Sequence, residues 1–255
     1  MQTVTEAAVL LVFAVLLGTI VGSFLNVCID RLPRGASLSS PPSQCEACGR
    51  RLSPLELIPV LSYTALRGRC RTCGVRFPAR VVAVEAGTGL AFLLVFEQFG
   101  LSLQAGLAIA YTCLLIVIGV IDLEHHRVLN GLTYPAIALA LAAAAVTPGR
   151  ELLSLLLGGL IGGGALLLLA LVSPRAMGFG DVKLSFFLGL VLGYPLVVVG
   201  LFLAFVVGGL VSLGQLAAGK VRRGDAVAFG PYLALAGFAA LLYGDRLLTW
   251  WLSRV

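Results

Sequence analysis

Long apolar runs separated by short polar turns make up most of the chain. Read by length and apolarity, they predict about eight membrane-spanning helices. The predicted spans cover residues 7–28, 81–99, 102–121, 128–147, 152–173, 182–194, 195–217 and 229–251. The sixth span is short and is joined to the seventh by Tyr194-Pro195, where a proline suits the first turn of a new helix. The pattern therefore predicts an all-α polytopic membrane helix bundle.

Composition supports this class and excludes an ordinary soluble domain. The 255 residues are 59% hydrophobic and 12% charged, whereas a soluble domain carries about 25% charged residues. The first apolar run lacks a basic region before it and a small-residue cleavage site after it, so it is expected to be retained as a span. Small and polar residues between Gly22 and Asn26 favour packing of this helix against protein rather than lipid.

The positive charges predict the orientation. Fifteen of the 18 lysines and arginines fall on one side of the predicted topology, nine of them between residues 29 and 80. Only Arg150, Arg246 and Arg254 fall on the other side. The positive-inside rule places the basic side in the cytoplasm and both chain termini outside. The net charge of +6 is thus explained by orientation and membrane lipid rather than by a nucleic acid.

The polar stretch between the first two spans carries two Cys-x-x-Cys pairs, each followed by glycine. This spacing is typical of a structural zinc site with four thiolate ligands, and the candidate ligands are Cys45, Cys48, Cys70 and Cys73. Two disulfides are the alternative, which a reducing cytoplasm disfavours. A loop of about 50 residues with few large apolar side chains buries little core, so a metal would supply folding energy.

Other polar residues are assigned no chemistry. Phe77 is the single aromatic residue beside the basic residues of the second pair, which argues against nucleic-acid binding. Cys28 is given no role, and Cys113 is expected to be a small buried apolar side chain. The adjacent histidines His125 and His126 do not share a helix face, so an interfacial polar loop is favoured over a metal site.

Two aspartates lie at the ends of apolar runs on the predicted cytoplasmic side. Asp122 ends the third span in VIGVIDLEHHR, and Asp181 precedes the sixth in MGFGDVKLSFF. An ionisable residue at membrane depth indicates a functional site. The alternatives are an N-cap for Asp181 and an ordinary helix-end charge for Asp122. If the two carboxylates meet they share a proton, and one acts as general base while the other acts as acid. The glycines before Asp181 are expected to leave room for a peptide beside it.

Taken together, the ordered motifs resemble the type IV prepilin peptidases. The motifs are GSFLNVCIDRLPRG, the two Cys-x-x-Cys pairs, LRGRCRTCG, Arg80 with Glu85, IDLEHHRVLN, MGFGDVKL and AFGPYLAL. The resemblance implies that Asp122 and Asp181 are the catalytic pair of a Gly-x-Gly-Asp membrane protease. It implies cleavage of the basic leader from prepilins and pseudopilins at the cytoplasmic face of a bacterial inner membrane. It also implies N-methylation of the new terminus with S-adenosylmethionine.

The resemblance divides the chain into a first transmembrane helix (1–28), a cytoplasmic tetracysteine zinc domain (29–80) and a protease core (81–255). The chain has Leu129-Asn130 and Arg80-Val81-Val82 where the family usually has proline-containing sequences. The competing classes are a proton-coupled transporter and a non-catalytic scaffold of a secretion system.

The methyl-donor site is not identified from the residues. The glycine-rich run 158–164 lies inside an apolar span, and its four-residue spacing predicts close helix packing rather than nucleotide binding. Asn26 and Glu85 are polar groups near the cytoplasmic edge to which no role is assigned.

Overall fold

The computed structural model describes residues 2–147, 151–173, 177–220 and 227–254. Four of the arginines on which the predicted orientation rests lie outside this part of the chain: Arg150, Arg175, Arg222 and Arg223. Within it the regular elements are helices, and the β pairing is limited to two isolated bridges, Gln44 with Arg51 and Arg69 with Arg76. The α-helices are α1 Gln2–Arg31, α2 Leu61–Ala65, α3 Ala79–Phe99, α4 Leu103–His125, α5 Asn130–Val146, α6 Leu152–Val172, α7 Phe179–Leu192, α8 Leu196–Ala217 and α9 Gly230–Leu252. The prediction of an all-α protein is confirmed.

Five helices of the described chain are long and apolar enough to cross a membrane. They cover Ala8–Arg34, Ala79–Phe99, Leu103–His125, Leu152–Val172 and Leu196–Ala217. Helix α7 has 14 residues, about 21 Å of helix, which is shorter than the hydrocarbon core of about 30 Å. The class of polytopic membrane bundle is confirmed, and the number of eight spans stays a prediction.

The chain divides into two compact units, Met1–Val117 and Ile118–Val255. In the first unit α1 and α3 pack closely through glycines. A Cβ on Gly18 would lie 2.8 Å from Gly89 Cα, and one on Gly22 would lie 2.8 Å from Glu85 Cα. The expected packing of the Gly22–Asn26 stretch against protein is therefore found.

The loop domain of the first unit contains little helix and is stabilised by side-chain hydrogen bonds and an ion pair. Arg50 pairs with Glu56 at 2.6 Å, and the Glu56 carboxylate also accepts the N–H and hydroxyl of Ser53. The Arg50 guanidinium and these Ser53 donors lower the pKa of Glu56 to about 2. These contacts of Glu56 stabilise a 3₁₀ turn at Pro54–Leu57 in the connection between the two cysteine pairs.

In the second unit the glycine-rich run forms the interface between α6 and α7. A Cβ on Gly158 would lie 2.4 Å from the Gly189 carbonyl oxygen, and one on Gly162 would lie 2.6 Å from that of Ser185. The Ser185 hydroxyl donates to the Gly162 carbonyl at 2.8 Å. Because α7 covers these glycines, the interpretation of the run as a helix-packing surface is confirmed.

Replacing Gly158 by alanine is expected to destabilise the second unit. The new methyl group meets backbone atoms of Gly189 and Gly193, and backbone cannot move aside as a flexible side chain can. Overpacking of this kind costs about 1–3 kcal/mol. Thermal unfolding in detergent measures the effect. Gly164→Ala is the matched control in the same helix, with nothing within 4 Å of its Cβ, and equal melting temperatures for the two variants would contradict the prediction.

Candidate functional site

Asp122 lies in the last turn of α4 and is 5% exposed. Its Oδ2 accepts a hydrogen bond from the backbone N–H of Gly230 at 3.0 Å, across 108 residues of chain. Gly230 is the first residue of α9, and the N–H groups of a first helical turn have no partner within the helix. The start of α9 therefore holds one oxygen of Asp122 in place.

Asp181 lies in the first turn of α7 and is 9% exposed. Its Oδ2 accepts a hydrogen bond from the backbone N–H of Gly178 at 3.2 Å. This oxygen therefore gives a partner to the N–H of the residue at the N-cap of the helix. Its Oδ1 is buried without a hydrogen-bond partner in the described structure. The alternative interpretation of Asp181 as the helix N-cap is wrong, because Gly178 holds the N-cap position and Asp181 is the third residue of the helix.

The two carboxylates belong to the same unit, and both are buried. Neither forms an ion pair within the described residues. Lys183 follows Asp181 closely in sequence but donates to Asn130 Oδ1 at 2.7 Å and lies over the Tyr134 ring. Buried acids without an ion-pair partner are costly to charge, so two of them within one unit are suited to hold one proton between them if they meet.

One of the two glycines before Asp181 lies in a close helix-packing contact. A Cβ on Gly180 would lie 2.6 Å from Val128 Cβ, in the connection between α4 and α5. Val128 thus fills the space that a side chain at position 180 would take, and the room expected for a peptide beside Asp181 stays a prediction. This contact packs the start of α7 against the segment that follows Asp122.

The cysteines form a second candidate site, in the loop domain. The thiol sulfurs of Cys45, Cys48, Cys70 and Cys73 all lie within 4.8 Å of one another. The Sγ atoms of Cys45 and Cys73 are 3.7 Å apart. Tetrahedral coordination with Zn–S bonds of about 2.3 Å places sulfurs about 3.8 Å apart. All four cysteines are free of disulfides, so the donor set and its spacing fit a tetrathiolate metal centre.

Hydrogen bonds favour the ionised form of one of these thiols, which is the form that binds a metal. Backbone N–H groups of Cys73 and Thr72 lower the pKa of Cys70 to about 6. Cys73 accepts the Val75 N–H, which lowers its pKa, but burial and the three neighbouring thiols raise it to about 11. Four thiolates this close repel one another, so a divalent cation is what would allow all four to ionise.

The remaining polar candidates have structural partners. The Asn26 amide donates to the Val81 carbonyl at 3.0 Å, and the Glu85 carboxylate accepts the Val60 N–H at 2.7 Å. His125 and His126 belong to no metal-binding group among the described residues. Sequence reasoning missed Gly230. The motif AFGPYLAL was noticed, but nothing in it indicated a contact with Asp122.

Comparison with known proteins covers nearly the whole chain. Residues 16–99 match the model of the Bacterial Peptidase A24 N-terminal domain, and residues 109–213 match that of the Type IV leader peptidase family. No solved structure matches the chain significantly.

Three similar curated proteins carry the name prepilin leader peptidase/N-methyltransferase. That of Pseudomonas putida is 34% identical, and the alignment covers 95% of this chain and 93% of the relative. That of Bacillus subtilis (strain 168) is 30% identical, with 92% and 95% covered. That of Pseudomonas aeruginosa is 32% identical, with 91% and 90% covered. Together with the two buried aspartates and the cysteine cluster, these matches show that the chain belongs to the type IV leader peptidase family.

Proposed function

We propose that this protein cleaves the basic leader peptide from prepilins and related pseudopilins, with Asp122 and Asp181 as the catalytic residues. The observation that carries the proposal is the pair of buried carboxylates on separate helices of one unit, with Oδ1 of Asp181 left without a partner. The names of the relatives support the substrate class. The transporter and scaffold alternatives have no comparable support.

The reaction follows from one shared proton. The ionised aspartate takes a proton from water, and the resulting hydroxide attacks the scissile carbonyl carbon. The protonated aspartate donates to the carbonyl oxygen, which gives a tetrahedral diol. Collapse of the diol breaks the C–N bond, and a proton passes to the leaving amine. The glycine N–H bonds hold one oxygen of each carboxylate, so neither side chain has to be ordered when the substrate arrives.

The loop domain is proposed to hold structural zinc on the cytoplasmic side of the inner membrane. The sulfur spacing supports the metal. With four thiolates and no open position, zinc would stabilise the fold of the loop and would not take part in the hydrolysis. The excess of arginine in the loop supports the orientation.

Methylation of the new N-terminus is proposed as a second activity, with S-adenosylmethionine supplying the methyl group. It rests on the names of the relatives, and no residue is assigned to the donor. The glycine-rich run of α6 does not fit a nucleotide cradle, because α7 covers it. Incubation with a prepilin and labelled S-adenosylmethionine, followed by mass measurement of the product, tests both activities. Cleavage with an added methyl is expected, and an uncleaved prepilin would overturn the proposal.

Gly230→Ala is expected to lower leader cleavage strongly. A Cβ at this position would lie 2.6 Å from Asp122 Oδ2, so the new methyl group pushes the carboxylate from its hydrogen bond. Misplacing a reacting group by about 1 Å can cost about 100-fold in rate. Steady-state cleavage in detergent should show a fall in kcat with KM little changed.

Gly209→Ala in α8 is the control, because its Cβ would meet nothing within 4 Å. Both variants should fold to the same extent. Wild-type turnover by Gly230→Ala would show that the contact with Asp122 has no catalytic consequence.

A further inference from the structure

The segment 54–61 of the loop domain exposes four large apolar side chains. Leu55 is 74% exposed and Leu61 67%, and Leu57 and Ile58 are each 41% exposed. Contiguous exposed apolar residues mark an interaction surface. The segment lies in the connection between the two cysteine pairs, outside the aspartate site.

A buried carboxylate ties this segment to a membrane helix. The Val60 N–H donates to Glu85 Oε2 at 2.7 Å, and Glu85 is 5% exposed. Glu85 is six residues past the start of α3 at Ala79, about 9 Å along the helix axis. Gly22 of α1 packs against the Glu85 backbone at the same level, inside the candidate span Ala8–Arg34. The loop therefore turns back to the depth of a membrane helix.

The backbone of Val60 is strained at this contact. Val60 has φ 61° and ψ −48°, a conformation that β-branched residues rarely adopt. A buried carboxylate requires hydrogen-bond donors, and the Val60 N–H supplies one. The hydrogen bond to Glu85 therefore holds the strained turn against α3, and the exposed apolar residues precede and follow Val60 directly in the sequence.

The charge around the segment complements an anionic surface. Residues 32–78 contain seven arginines and two glutamates, a net charge of +5. A zinc ion with four thiolates would lower this to about +3. The arginines classed as exposed are Arg34, Arg51, Arg67, Arg69, Arg71 and Arg76. Arginines beside exposed leucines match the chemistry of a segment that binds an anionic lipid surface.

We propose that residues 54–61 form a membrane-interface anchor, in which Leu55, Leu57, Ile58 and Leu61 insert into the boundary of an anionic bilayer while Glu85 holds the turn at that depth. The occupant is lipid rather than a protein, because the segment is bonded to Glu85 of the span α3 and is flanked in sequence by arginines. The inference is independent of the proposed peptidase activity.

Tryptophan fluorescence in vesicles tests the anchor. The full chain carries Leu55→Trp in a background where Trp250 and Trp251 are replaced by phenylalanine, since these are its two tryptophans. It is reconstituted in vesicles of phosphatidylcholine with about 30% phosphatidylglycerol, an anionic lipid. Lipids brominated in the acyl chain should quench the fluorescence of the tryptophan at position 55. The quenching in these anionic vesicles should be at least about twofold stronger than in vesicles of phosphatidylcholine alone. Val75→Trp in the same background is the control, as Val75 is an exposed apolar residue of the second cysteine knuckle and should not be quenched.

Adding Glu85→Ala to the Leu55→Trp chain should release the turn and lower the quenching by at least about half, with zinc content reporting whether the loop domain is still folded. Quenching that is unchanged by Glu85→Ala in metal-loaded protein would overturn the role of Glu85. The anchor would be overturned if aqueous iodide quenches the fluorescence of the tryptophan at position 55 and brominated lipid does not. Protection from both quenchers would show that a protein surface covers the segment, and would overturn the lipid assignment.

Discussion

Asp181→Asn is expected to abolish leader cleavage and to leave the helix bundle folded. Asparagine keeps a side-chain oxygen that can accept the Gly178 N–H, so the start of α7 stays capped. It cannot share a proton as an acid does, and loss of acid–base catalysis costs about 10²–10⁴-fold in rate. Asp122→Asn should behave alike, because its amide oxygen can still accept the Gly230 N–H. Cleavage of a prepilin by each purified variant in detergent, read by mass, measures the effect.

Asp245→Asn is the matched control for both variants. Asp245 is an exposed aspartate of α9, fifteen residues beyond Gly230, and the same chemical change there should leave cleavage intact. Wild-type cleavage by either Asp122→Asn or Asp181→Asn would remove the residue from the catalytic pair. Loss of activity together with loss of the folded protein would instead indicate a structural role.

Cys45→Ser is expected to strip the metal from the loop domain. Cys45 is fully buried and its sulfur lies 3.7 Å from that of Cys73, so a serine at this position removes one of the proposed ligands. Structural zinc supplies much of the folding free energy of small loops. The wild-type chain should carry about one zinc and the variant less than about half of that, and the loop should become sensitive to protease.

Cys28→Ser provides the comparison, since Cys28 lies in α1 outside the cysteine cluster. It should keep the metal in full. Full zinc content in Cys45→Ser, or none in reduced wild-type protein, would refute the tetrathiolate site. Elemental analysis of freshly purified protein decides between these results.

Much of the fold could be predicted because membrane insertion imposes a strong pattern on the sequence. Apolar length indicated the helices, and the glycine spacing in α6 indicated close packing, which the contact of Gly158 with Gly189 confirms. Helix α7 is harder to predict, because its 14 residues are bounded by Gly178 and Gly193, which the apolar run does not mark clearly.

The types of residue that form the site could be predicted from the sequence, whereas their arrangement in space could not. Carboxylates at membrane depth and paired cysteines stand out from composition and spacing, and the ordered motifs indicated the family. The partners of those groups were not predictable, because they are backbone N–H groups, which every residue except proline carries. Gly230 and Val60 are examples, since each uses its main chain to bind a carboxylate distant in sequence.

A helical membrane protein with two candidate aspartates and four cysteines spaced for a metal can be predicted from the amino-acid order alone. The fold is needed to see that Asp122 and Asp181 belong to one unit, that Val128 occupies the space beside Gly180, and that the start of α9 holds Asp122. The reason is physical. Hydrophobic pattern and ligand spacing are local properties of the chain, whereas the helix packing that brings distant main-chain donors to a buried carboxylate depends on contacts between residues far apart in sequence.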